Sequence, residues 1–305
     1  MLSPLRYPGG KSDFCSTIFQ IVKSLNLSNQ TFVEPYAGSA VASLALLESG
    51  IISRAVLVEK DPLVYSFWKA LFTRTDELIE RFIDLPITLN TWHEFRKYFD
   101  VKNVGDASVV DLGLAGLFYN RANFSGILAA GPIGGMGQKS QYTIDCRTNK
   151  DEIVVRLLTA AMFADSVDVV CEDAVEYVSK KTKNHIFYVD PPYFVKGELL
   201  YRYYYRMGDH KRLADALATQ RNPWFLSYDV HPVIEHLYEG FQVNKLSFKY
   251  SAHSPKNHDE YLISNFEIDD VVLKSPIVRP SRQANASVNA KLRAEGRYAE
   301  NQVGI

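Results

Sequence analysis

The sequence predicts an α/β fold, a largely parallel sheet covered by helices and closed by an antiparallel hairpin. Short apolar, β-branched runs recur along the chain, each bounded by turn residues or leading into a helical pattern. Helical periods separate them, for instance at 40–47 and 213–218, and alternation of strands with helices builds parallel sheets. The last two runs instead show period-two alternation, the mark of a hairpin.

Seven strands follow from this, in order at 31–34, 55–59, 167–171, 186–190, 224–228, 241–248 and 260–266. In the sixth, Phe241, Val243 and Lys245 change phase against Leu246, Phe248 and Tyr250, which predicts a bulge. Residues 72–150 break the rhythm. Leu78, Ile79, Phe82 and Ile83 share one helical face after a cap at Thr75, and a second helix is predicted over 109–120. Gly126, Gly131, Pro132, Gly134, Gly135 and Gly137 then demand a long loop or loose hairpin. The reading is a discontinuous catalytic domain over 1–71 and 151–274, a helical and loop-rich insertion over 72–150, and a polar tail over 275–305.

Composition narrows the class. The chain has 305 residues, 47% hydrophobic and 23% charged, enough to bury a sizeable core, which excludes wholesale disorder. Its 34 basic and 35 acidic side chains give a net charge of −1, so gross charge does not hold it to a polyanion, although a local basic groove can. Cys15, Cys146 and Cys171 form no C-x-x-C pair, and neither a disulfide framework nor a zinc site is expected. His185 falls inside a strand, and His253 and His258 are too loosely spaced in the final hairpin to argue for a metal. The opening MLSPLRYPGGKS has no apolar run, and no stretch reaches the length of a membrane span. A cytoplasmic location is expected.

The chemistry concentrates at strand ends. Asp190-Pro191-Pro192-Tyr193 follows the buried run 185–189. Two prolines cannot donate ladder bonds, so the strand stops at the carboxyl edge, where open α/β sheets bind ligands. The Asp190 carboxylate and the Pro191 carbonyl can each accept one hydrogen of a planar amino group. Tyr193 can stack on the attached ring, worth about 1–3 kcal/mol. The alternative is a strand-terminating proline pair with a capping aspartate. A second turn, Phe32-Val-Glu34-Pro-Tyr36-Ala-Gly38-Ser-Ala40, leaves the first strand for a helix, with Gly38 permitting close backbone approach. The second strand ends some twenty residues on in Glu59, placed to accept from ribose hydroxyls, with Asp61 as the alternative. Glu172 and Asp173 follow the third strand and could bind an adenine amino group.

The order Tyr7-Pro-Gly9-Gly-Lys11, Glu34-Pro-Tyr-Ala-Gly38, Asn120-Arg121-Ala-Asn-Phe-Ser-Gly126 and Asp190-Pro-Pro-Tyr193 resembles the Dam-like DNA adenine (N6) methyltransferases. That resemblance covers about residues 5–265 and implies a seven-stranded Rossmann-like methyltransferase sheet, with residues 72–150 as the target-recognition domain. It implies S-adenosylmethionine as cofactor, S-adenosylhomocysteine as product and no metal. Tyr7, Gly9 and Lys11 would join the cofactor side, Glu34, Tyr36 and Gly38 would cradle the methionine part, and Glu59 the ribose. Asp190, Pro191, Pro192 and Tyr193 would hold the flipped adenine. Residues 131–150 do not resemble the recognition hairpin of GATC-specific members, so no target sequence is transferred.

A base within a duplex must be flipped out, at a cost of a few kcal/mol. Two clusters suit that work. The segment 200–206, with Arg202 and Arg206 among tyrosines, is followed by Lys211 and Arg212. Gln138, Lys139, Gln141, Arg147 and Lys150 form the other, with side chains able to read base edges. Asn120 and Arg121 are expected at the DNA as well. Each cluster has a bland alternative, a packed tyrosine-rich loop and a solvated polar loop. Double-stranded DNA is the expected partner of a monomer or weak dimer, with a cognate restriction endonuclease beside it. Alternatives are an amino methyltransferase acting on cytosine or RNA, and a catalytically silent nucleic-acid-binding subunit.

Overall fold

The computed structural model describes residues 3–6, 14–25, 30–100, 104–250 and 256–273. Tyr7, Gly9, Lys11, His253 and the tail at 275–305 lie outside them.

The seven strands are β1 (Thr31–Glu34), β2 (Arg54–Glu59), β3 (Val167–Cys171), β4 (His185–Val189), β5 (Trp224–Asp229), β6 (Gln242–Tyr250) and β7 (Lys256–Ser264). They form one sheet in the order β3-β2-β1-β4-β5-β7-β6. The first five pair in parallel and β7 inserts antiparallel between β5 and β6. This is the mixed α/β, Rossmann-like sheet of the expectation. Strand order reverses between the parallel neighbours β1 and β4, which opens a crevice at their carboxyl ends.

Two predicted details change. The β6–β7 register runs without interruption from Gln242 opposite Ser264 to Tyr250 opposite Lys256, so the expected bulge is absent from these pairs. The alternation there does not change phase in the backbone, because an edge strand with one exposed face tolerates polar residues on either side. His258 belongs to β7 rather than to a loop. Asp190 lies one residue past β4.

Alternation explains the burial. Phe32, Ala55, Leu57, Ile186, Tyr188, Phe225 and Leu262 face one core. Val33, Val56, Val58, Phe187, Val189, Leu226, Tyr228 and Ile263 face the other. On the first side lie α1 (Cys15–Ser24), α2 (Val41–Glu48), α3 (Pro62–Thr73), α4 (Thr75–Asp84), α5 (Leu89–Phe95), α6 (Val109–Ala122) and α7 (Lys150–Ala161). The second side is covered by α8 (Ala174–Val178), α10 (Met207–Thr219) and α11 (Pro232–Leu237), with the short α9 (Gly197–Leu200) preceding α10.

The helices of 72–150 pack into the same core as the sheet. Val110, Leu114, Leu117 and Phe118 of α6 are buried together with Leu63, Phe67 and Leu71 of α3. Contact is close enough that a Cβ on Gly116 would sit 2.5 Å from the Leu63 carbonyl oxygen, and one on Gly113 2.7 Å from that of Ser66. Ser108 begins α6 with a reciprocal capping box to Asp111. Thr75 does not cap α4: the cap position is Arg74, and the Thr75 hydroxyl donates back to Leu71 O at 2.6 Å.

Candidate active site

The crevice between β1 and β4 is a cleft open to solvent, whose empty space is about 880 Å3 when the solvent at its mouth is included. Its floor is the turn after β1. Glu34 ends that strand, and its Oε2 accepts the Ser43 N–H of α2 at 2.9 Å. Gly38 has φ 44° and Ala40 φ 48°, both left-handed. For Gly38 this is unstrained, whereas at Ala40 the same backbone costs on the order of 1–3 kcal/mol. A glycine at position 40 would therefore serve the backbone conformation rather than helix packing.

Glu59 ties this turn to the next. Its Oε2 accepts the Gly38 N–H at 3.1 Å and its Oε1 the Asp61 N–H at 2.9 Å. Trp68 of α3 donates its indole N–H to the Gly38 carbonyl at 2.9 Å, so both faces of the Gly38 peptide are held. Burial pushes the Glu34 carboxyl up to about 7, and the Asp190 charge adds to this. Burial likewise pushes Glu59 up to about 7, with Asp61 adding. Among the described residues, Asp61 and Asp173 of the cleft pair with Arg202 and Lys60, whereas Glu34 and Glu59 are held by backbone N–H groups and raised by burial.

The turn after β4 forms the opposite wall. Tyr188, Asp190 and Pro192 line the cleft. Ser227 Oγ donates to Asp190 Oδ1 at 2.9 Å. Asp229 at the end of β5 accepts the Phe194 and Val195 N–H groups at 2.8 and 3.0 Å. Tyr193 donates its hydroxyl to Glu260 at 3.2 Å and meets the Tyr201 ring edge-on. Asp173 caps α8 through Val175 N at 3.0 Å, pairs with Lys60 at 2.8 Å and also lines the cleft. Glu172 pairs instead with Lys180 at 2.5 Å.

The aromatic segment after α9 folds over the cleft. Tyr201, Arg202, Tyr203 and Tyr205 line it. Tyr205 shares a 2.7 Å hydroxyl contact with Tyr36. Arg202 reaches both oxygens of Asp61, at 2.9 and 3.1 Å, with side chains only 14% and 7% exposed. Its guanidinium also lies 4.4 Å from the Phe99 ring centre, on the turn that follows α5.

The residues expected to touch DNA divide. Lys139, Arg147 and Arg206 are exposed. Arg202 is engaged by Asp61. Asn120 and Arg121 are 1% and 5% exposed and hold the N-terminal strand of chain in place. Asn120 accepts the Arg6 N–H at 2.7 Å and donates to the Arg6 and Gly126 carbonyls, while Arg121 donates to the Pro4 carbonyl. Their positions on α6 face inward, because the helix packs on both sides. Gln138 and Lys150 are likewise engaged internally, Gln138 closing the loop through Ile133 O and Ile144 N at 2.8 Å each, and Lys150 donating to Ile83 O.

The sequence reading missed Phe124. It is 65% exposed, beside Ser125 at φ 55° and Gly126 at φ 77°. Buried Asn123 fixes that tip, accepting from Trp92 Nε1 at 2.7 Å and donating to Leu128 O at 2.8 Å. A hydrophobic ring flanked by Asn, Ser and Gly was the available signal. Also missed was Ser227, a small polar side chain in a strand otherwise of bulky buried residues up to Asp229.

No curated protein sequence matches the chain significantly. The family model for D12 class N6 adenine-specific DNA methyltransferases matches residues 7–252. Among solved structures, a "putative methylase" from Haemophilus influenzae is similar at 9% identity and a TM-score of 0.35, covering 83% of this chain and 89% of that one.

Proposed function

The chain belongs to the D12 class N6 adenine-specific DNA methyltransferase family, and from that premise we propose that it transfers a methyl group from S-adenosylmethionine to the exocyclic amino group of an adenine flipped out of DNA. The observation that carries this reading is the placement of Glu34 and Asp190 on one cleft at the point where the strand order reverses.

The residues fit the cofactor. A ligand bearing a sulfonium and an ammonium would favour the charged form of the Glu34 carboxylate, which burial disfavours. Glu59 retains acceptor capacity beyond its backbone bonds and suits the ribose hydroxyls, and Asp173 the adenine side. Bound there, S-adenosylmethionine supplies an electrophilic methyl. The protein then mainly orients. Asp190 and the Pro191 carbonyl accept the two amino hydrogens, and Pro191 and Pro192 fix the backbone between them. Tyr193 gives the base a ring to stack on. The amino lone pair is thereby aimed along the cleft, and correct alignment alone contributes a large share of such a rate.

On the DNA side, Phe124 is a rigid exposed ring suited to fill the gap left by an extruded base. Lys139, Arg147 and Arg206 offer charge to phosphates.

The test is transfer of labelled methyl to DNA lacking adenine methylation, with Asp190→Ala as control. Methyladenine that vanishes with Asp190→Ala supports the reading. Methylcytosine would overturn the substrate, and cofactor binding without transfer to any DNA would overturn the reaction.

A further inference from the structure

We propose that Ser227 is a positioning residue for the Asp190 carboxylate, acting within a buried chain that runs from Tyr188 through Ser227 to Asp190. The inference rests on the reading of Asp190 as the amino-group acceptor.

Ser227 sits in the centre of β5 and is fully buried, at 0% exposure. Its strand neighbours Phe225, Leu226 and Tyr228 are buried core residues. The last parallel pair of β4 and β5 is Val189 with Leu226. One step further along both strands brings Asp190 beside Ser227. An alanine would fill that space equally well, so packing does not call for the hydroxyl. Two contacts account for it: 2.9 Å to Asp190 Oδ1 and 3.0 Å to the Tyr188 hydroxyl.

The direction of each bond follows from charge. An ionised carboxylate only accepts, so Ser227 must donate to Asp190. Its hydroxyl hydrogen is then committed, and Tyr188 donates to Ser227. Tyr188 is itself 2% exposed, and its ring is stacked on Phe225 with centres 5.2 Å apart. The chain therefore starts from an immobile ring and ends on the carboxylate whose rotation matters most.

β5 also holds the far side of the turn. Two residues after Ser227, Asp229 accepts the N–H groups of Phe194 and Val195. The turn from Asp190 to Tyr193 is thus anchored by one strand at both ends, with two prolines between the anchors. A carboxylate held this way meets an incoming amino group without reorganising, which is where a positioning group contributes to rate rather than to binding.

The experiment compares wild type with Ser227→Ala, Ser227→Thr and Tyr188→Phe. It measures kcat, the dissociation constants for S-adenosylmethionine and for a DNA duplex, and the thermal midpoint. Ser227→Ala should lower kcat by about 10- to 100-fold, with both dissociation constants within about twofold of wild type and the melting midpoint little changed. Ser227→Thr, which keeps the donor, should recover most of the rate. Tyr188→Phe, which removes the outer hydroxyl that Ser227 meets, should show a smaller loss. Wild-type kcat in Ser227→Ala would overturn the proposal. So would a loss of rate that tracks loss of cofactor binding and melting temperature and is not restored by threonine. A wild-type protein that transfers no methyl would sink the reading of Asp190 and this inference with it, whereas transfer that is indifferent to Ser227 sinks the inference alone.

Discussion

Glu34 and Glu59 are acids whose protons depend on whether the cleft is filled. Burial is the leading cause in both, and each is pushed up to about 7. In the unfolded chain both titrate at the ordinary glutamate value, so between roughly pH 4.5 and 7 the native state binds more protons than the unfolded one. Stability of the ligand-free protein should accordingly fall as pH rises through that window. Glu34→Gln should flatten the fall, as urea unfolding at pH 5, 6, 7 and 8 would reveal; an unchanged slope would mean the carboxyl is ionised throughout. A cationic ligand reverses the preference by favouring the charged form. For one linked proton, affinity for S-adenosylmethionine should rise about fivefold between pH 6 and 7, and calorimetry in buffers of different ionisation enthalpy should detect the proton released. At this scale the sequence was legible where a motif specifies backbone. Proline pairs and a glycine at a left-handed turn announce strand ends, and hence Glu34 and Asp190. It was illegible for Asn120 and Arg121, where a polar side chain on a helix faces outward or inward according to what packs around it. Only the fold reveals that α6 is covered on both sides.

Among the elements, the contact of α3 with α6 gives a sharp test because the same substitution should change sign between two helices. Propensity alone favours alanine over glycine by up to about 1 kcal/mol in a helix. At Gly208, near the start of α10, nothing lies within 4 Å of the added methyl, and Gly208→Ala should stabilise by about 0.5 kcal/mol. At Gly116 the methyl would meet backbone at 2.5 Å, and Gly116→Ala should destabilise by about 1–3 kcal/mol. Denaturant midpoints for the two variants settle it, and a stabilising Gly116→Ala would mean that the helices separate freely. The Arg202 clasp is a second element-scale case. Removing one partner of a buried pair leaves the other charge uncompensated, so Arg202→Ala should cost about 3 kcal/mol at pH 8. Burial already raises the Asp61 carboxyl despite Arg202. The cost should therefore shrink on acidification, as Asp61 takes up a proton; an equal cost at pH 5 and pH 8 would exclude an electrostatic origin. Strands were legible because period two is local. The clasp was not, since Arg202 reads as a cation for DNA until the fold brings Asp61, 141 residues away, to its side.

For the molecule as a whole, the formal charge of −1 hides an uneven distribution. Arg6, Arg121, Arg147 and Arg156 lie close enough that Arg6 is lowered first by burial and then by repulsion from Arg147 and Arg156. Arg121 is pushed down to about 10, first by burial and then by Arg156 and Arg6. Arg6 of this cluster lies against Gly126, two residues from the exposed Phe124, and gathered like charges are tolerated where a polyanion will neutralise them. Arg121 and Arg156 are occupied by the Pro4 and Ser3 carbonyls, which leaves the exposed Arg6 and Arg147 of the four, with exposed Lys139 nearby in sequence, to follow a phosphate backbone. If this face is where DNA lies, binding should weaken steeply with salt despite the near-neutral total. Each neutralised phosphate contributes roughly 0.9 to the slope of log affinity against log salt. Arg147→Ala and Lys139→Ala should each reduce that slope by about 1 and weaken binding to all sequences alike. Phe124→Ala should leave the slope intact and lower kcat, because an apolar ring releases no counterions. Titrations from 50 to 300 mM salt with the three variants separate these roles. A slope unchanged by Arg147→Ala, or one reduced by Phe124→Ala, would move the DNA to another face of the sheet.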